Sequence, residues 1–90
     1  MHRSDAETWA LKALGFLACE KDALLHFLNL SGLEIEDLRE RASEPELLAA
    51  VLDFLLADDA LLARFASAHC IDVNIVHAAR RALPGASAEN

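Results

Sequence analysis

One stretch, SEPELLAAVLDFLLA from Ser43 to Ala57, limits most strongly what this chain can fold into. Ser43 followed three residues later by Glu46 has the spacing of a capping box, in which each side chain satisfies a backbone N–H left over in the first helical turn. Pro45 falls in that same turn, where its missing N–H costs nothing. At about 100° per residue, Leu47, Leu48, Val51, Leu52, Phe54, Leu55 and Leu56 cover roughly half the circumference of a helix. Only Glu46, Ala49, Ala50 and Asp53 occupy the rest. An arc that wide must be covered by several neighbours, so the stretch is expected to be a core helix. Leu52→Asp or Leu55→Asp should then unfold the domain, and Asp53→Ala should be nearly neutral.

Ninety residues support one hydrophobic core and leave no room for two. The hydrophobic fraction of 54% exceeds the roughly 45–50% of ordinary soluble domains. Leu and Ala dominate, Tyr is absent and only two prolines interrupt the chain, which predicts an all-α fold. The longest nearly apolar run, Leu47 to Ala57, is broken by Asp53 and falls short of the ~20 residues that span a bilayer. The N-terminus lacks the basic start and apolar stretch of a signal peptide. A cytoplasmic protein with no membrane association is expected. Cys19 and Cys70 are too few for a disulfide framework and read as small buried residues near helix ends. A bridge between them is disfavoured in a cytoplasmic setting.

The net charge of −7 is concentrated in one block. Between Glu34 and Asp59 nine carboxylates face only Arg39 and Arg41, whereas the remainder of the chain is neutral. Such a block repels phosphate backbones, so nucleic acid is an unfavourable partner for it. Solvated faces and acid-rich helix N-termini account for the block without a partner. A binding surface for a basic protein is the other reading.

Taken in order, Ser4 and Glu7 have capping-box spacing and open a helix ending near Ala18 or Cys19. Its core positions are Trp9, Ala10, Ala13, Leu14, Phe16 and Leu17, with Thr8, Lys12 and Gly15 outward. A second helix, about Lys21 to Leu30, carries Leu24, Leu25, Phe27 and Leu28, and Gly32 is placed to end it in the left-handed conformation. Glu34 opens a short helix held by Ile35 and Leu38. After the central helix, Asp58 or Asp59 caps a fifth, with Leu61, Leu62 and Phe65 inward. Asp72 caps a sixth, which Pro84 and Gly85 stop. The expected domain covers residues 4–85, with flexible termini at 1–3 and 86–90.

Shifting the chain by 38 residues pairs Leu14 with Leu52, Phe16 with Phe54, Leu17 with Leu55, Leu24 with Leu62 and Phe27 with Phe65, without a gap. Two copies are too few for a solenoid. The expectation is a compact six-helix orthogonal bundle of two three-helix repeats, related by approximate two-fold symmetry. The same register sets Cys70 opposite Gly32, so the second turn must be shaped differently or Cys70 must take up strain.

Reactive constellations are scarce. His69, Cys70 and His77 are the one cluster that suggests a metal or thiol site, but no CxxC, HxxxH or HExxH spacing supports it. Neither histidine has an evident orienting carboxylate other than Asp72. No cofactor, no metal and no catalytic residue is expected, and the chain reads as a non-enzyme. On the last helix, Ile75, Val76, Ala79 and Leu83 form the buried stripe. That leaves Asn74, His77, Arg80 and Arg81 outside as a candidate interaction surface, although basic residues near a helix C-terminus also simply complement its dipole.

With ETWALKALGFLA, SGLEIEDLRERASEPELLAAVLDFLLADDALLARFA and ARRALPG in view, the chain resembles a family of short helical alphaproteobacterial proteins described only as a domain of unknown function. The likeness covers roughly Ala6 to Gly85, and it implies no activity, cofactor or site residues. The expected function is a protein–protein interaction module acting on a partner protein or on a second copy as a homodimer. The alternative is a nucleic-acid-linked regulator using the basic face of the last helix.

Overall fold

The computed structural model describes residues 1–83, so Pro84, Gly85 and the terminus 86–90 lie outside the described residues. Six α-helices follow one another: α1 (Arg3–Ala18), α2 (Lys21–Ser31), α3 (Ile35–Glu40), α4 (Pro45–Leu56), α5 (Asp59–Ala68) and α6 (Val73–Ala82). The fold is all-α, as the composition predicts.

Helix α4 is the core helix. Val51, Leu52 and Leu55 are fully buried, joined by Leu47, Leu48 and Ala49. Ala49, expected on the outer side, is covered because α1, α5 and α6 together wrap most of α4. In α1 the centre of the buried stripe is Ala6, Ala10, Ala13 and Leu17, a line of mostly small residues at i, i+4, i+7 and i+11. Small side chains let α4 and α6 approach closely, while the bulkier Trp9, Leu14 and Phe16 wrap the flanks and stay half-exposed. Ala6 was not among the core positions read from the sequence. It is fully buried because it continues the stripe of Ala10, Ala13 and Leu17 by one further turn.

Four helix ends obey the sequence and two do not. Asp58 Oδ1 accepts the Leu61 N–H at 3.1 Å, and Asp72 Oδ1 accepts the Asn74 N–H at 2.8 Å. At the start of α3, the Glu34 N–H donates to Asp37 Oδ2 at 2.9 Å. Gly32 ends α2 with φ 74°, its N–H bonded to the Leu28 carbonyl. Neither expected capping box forms. Pro45 takes the first helical position, which makes Glu44 the N-cap and leaves Ser43 one residue outside. The Glu44 carboxylate turns back to Arg41 at 3.2 Å. In α1 the cap is His2, so Ser4 lies within the first turn and Glu7 pairs with Arg3 at 3.4 Å.

The turn after α5 resolves the question raised by Cys70. Its φ is 55°, the one positive value on a non-glycine among the described residues. The Ile71 N–H reaches the Ala66 carbonyl at 2.9 Å and the Cys70 N–H reaches Ser67 at 3.2 Å, the paired bonds of a Schellman motif. The expectation that both cysteines are buried is corrected: Cys19 and Cys70 are exposed and free, because helix-terminal turns project them outward.

Helices α1, α4 and α6 form the centre; α2 leans on α1, and α5 leans on α4 and α6. A two-fold axis relating the halves would give α3 the position against α1 and α4 that α6 holds. Among the described residues α3 instead forms none of the principal helix interfaces, and it is anchored through Leu38. With six residues against ten in α6, it cannot present a comparable stripe.

Candidate interaction surface

The basic face of α6 is only partly assembled. Asn74, His77 and Arg81 are exposed as expected, but Arg80 is turned inward, with its side chain 16% exposed. Its Nε donates to Asp53 Oδ1 at 2.6 Å, tying α6 to α4. On a helical wheel Arg80 stands about 40° from the buried Val76, at the edge of the apolar stripe, where a long side chain can lie along the neighbouring helix. Sequence periodicity marks that position as marginal but cannot identify the carboxylate opposite. Asp53 is thus a partner of α6 and not a bystander on the outer side of α4.

The His69–Cys70–His77 neighbourhood does not come together as a site. The His69 ring is half-buried, tilted against Phe65 at 4.6 Å and edge-on to Trp9 at 6.2 Å, with Lys12 Nζ 4.6 Å above the Trp9 ring. This is a packing role that locks the C-terminus of α5 onto α1. Among the described residues, no group of three or more His, Cys, Asp or Glu side chains is placed to hold a metal ion.

The concave surfaces lie elsewhere. A cleft of about 460 Å³ runs between α1 and α3, lined by Leu11, Leu14, Gly15, Ile35 and Leu38, with Arg39 at its edge. Leu11 and Ile35 remain about half exposed on its rim. A second groove follows the line between α2 and α4. These two helices form none of the principal helix interfaces among the described residues, and the Phe27 and Phe54 rings, 5.3 Å apart, bridge the gap at its floor. Adjoining clefts of about 340 and 450 Å³ share Leu30, Phe54 and Ala57 and make this groove continuous past the end of α4. A smaller cleft of about 230 Å³ extends it past Ala50 towards Arg41, Glu44 and Glu46. Leu25, read from the sequence as part of an apolar helix face, and Leu30, at the end of the same helix, are 59% and 68% exposed. Sequence periodicity locates the apolar side of α2 but not how little of it the neighbours cover.

A family model described as "Protein of unknown function (DUF3572)" matches residues 3–86, nearly the whole chain. The chain belongs to this family. No curated protein and no solved structure matches it. Membership in DUF3572 agrees with the resemblance drawn from the sequence and assigns no residue a role. Among the described residues, no helix is long and apolar enough to cross a membrane.

Proposed function

We propose that this chain is a small cytoplasmic, non-enzymatic protein-interaction module. The observation that carries the reading is the gathering of exposed large apolar side chains around grooves, with Leu11 and Ile35 on one and Leu30 on the other. Single exposed leucines are ordinary, but apolar residues clustered along concave surfaces with polar rims are the usual mark of a binding site. The nucleic-acid alternative has less support: of the two arginines on α6, Arg80 is engaged with Asp53, and the nearby carboxylates oppose a phosphate backbone.

Affinity capture from native cell extract tests the reading, using the tagged full chain beside a Leu11→Ser/Leu30→Ser variant. Both substitutions are at exposed positions, so the fold is retained, as circular dichroism can verify. The reading expects a partner, or a second copy, that the wild type retains and the variant loses. Strictly monomeric behaviour at high concentration, with identical capture by both proteins, would count against it.

A further inference from the structure

We infer that the α2/α4 groove receives a basic amphipathic helix from a partner protein. The inference rests on the interaction reading above and names the partner's chemistry.

The shape follows from α4. Glu46, Ala50, Asp53 and Ala57 fall on one line at i, i+4, i+7 and i+11, alternating carboxylates with methyl groups. The alanines keep the floor low, the half-buried Phe54 meets Phe27 across it, and Leu30 of α2 supplies an apolar wall. From Glu46 to Asp58 the groove is about 18 Å long at 1.5 Å per residue, which matches a helix of about three turns. An occupant of that length would set apolar residues at i, i+4 and i+7 against Leu30, Ala50 and Phe54.

The rim decides the occupant. Glu44 and Glu46 lie at one end, Asp58 and Asp59 at the other, and Asp53 midway. Arg41 is paired with Glu44 and Arg80 with Asp53, so five carboxylates stand against two arginines and the rim keeps an excess of three negative charges. His26 is the remaining titratable group lining the far end. A second copy docking the same face would bring like charges together, which is unfavourable. The α1/α3 cleft has the opposite character, with Arg39 lining it. The complementary occupant of the α2/α4 groove therefore carries Lys or Arg at both ends of an apolar stripe.

Two fluorescein-labelled synthetic helices of about 14 residues provide the test. They share one leucine stripe, one peptide flanked by lysines and the other by glutamates. Fluorescence anisotropy measures binding to the wild type, to Leu30→Ser and to Glu46→Lys/Asp59→Lys, and amide chemical shifts locate the bound peptide. All three substituted side chains are exposed, so the fold is retained. The expected result is binding of the lysine-flanked peptide with shifts along Leu30, Ala50, Phe54 and Ala57. Affinity should fall about fivefold or more in Leu30→Ser. It should fall about tenfold in the charge-reversal variant, with a flattened salt dependence. Binding that ignores Leu30→Ser, shifts confined to the α1/α3 cleft, no binding at all, or self-association lost with Leu30→Ser would each overturn the inference. Equal binding of the glutamate-flanked peptide in the groove would also overturn it, while leaving the broader interaction reading intact.

Discussion

Cys70→Gly should stabilise this protein, although it removes a side chain and adds nothing. Cys70 sits at φ 55°, where its Cβ crowds the neighbouring carbonyl, and an L-residue there costs about 1–2 kcal/mol. Glycine relieves that cost, but it also enlarges the unfolded ensemble, which offsets about 0.5–1 kcal/mol. Because Cys70 is exposed and free, little packing is lost with the thiol. The net gain is about 0.5–1 kcal/mol, which in a domain of this size raises Tm by about 3–6 °C. Thermal melts followed by circular dichroism, with urea titrations to check that the m-value is unchanged, read it directly. Cys70→Ala separates the backbone from the thiol, since it keeps the Cβ and should be close to neutral. The mirror experiment is Gly32→Ala at φ 74°, which should destabilise by about 1 kcal/mol. If Cys70→Gly proves no more stable than Cys70→Ala, the left-handed turn carries no strain and the reasoning fails.

Three further outcomes follow from the packing. Leu55→Ala should lose about 3 kcal/mol in urea denaturation, because the side chain is fully buried on the core helix and its removal leaves a cavity. Asp53→Ala should lose about 1 kcal/mol, since it removes the carboxylate that holds a mostly buried guanidinium. A double-mutant cycle with Arg80→Ala should return a coupling of similar size, and additive losses would contradict it. Leu30→Ser should change stability by less than about 0.5 kcal/mol, because its side chain already faces solvent; a larger loss would mean that the α2/α4 groove is closed in solution.

Much of the fold was legible from sequence, and the misses share a cause. Periodicity identified α4 as the core helix, and short-range capping chemistry at Asp58, Asp72 and Gly32 reported helix ends correctly. Those features are local, fixed by residues within one or two turns. The absent capping boxes at Ser4 and Ser43 failed by one or two residues of register, because α1 begins already at Arg3 with His2 as its cap and Pro45 at the first position of α4 makes Glu44 the N-cap. What sequence could not supply was non-local. Leu25, Leu30 and Ile35 look like core residues by type, yet their exposure depends on how α2 and α3 are set against their neighbours. The partnership of Arg80 with Asp53 spans 27 residues and two helices, and no local pattern announces it. That partnership turns Arg80 inward from the other three residues of the candidate surface on α6. The groove between α2 and α4 could not be drawn at all.

The most direct test of the interaction account is zero-length carbodiimide crosslinking in native extract, with linked peptides identified by mass spectrometry. The reagent joins a carboxylate to a lysine amine in direct contact, so it reports both the groove and the chemistry of its occupant. The account predicts crosslinks from Glu46 and Asp59 to lysines on one helix of a partner protein, and their loss in Leu30→Ser. Crosslinks confined to other carboxylates, or unchanged when Leu30 is replaced, would contradict it.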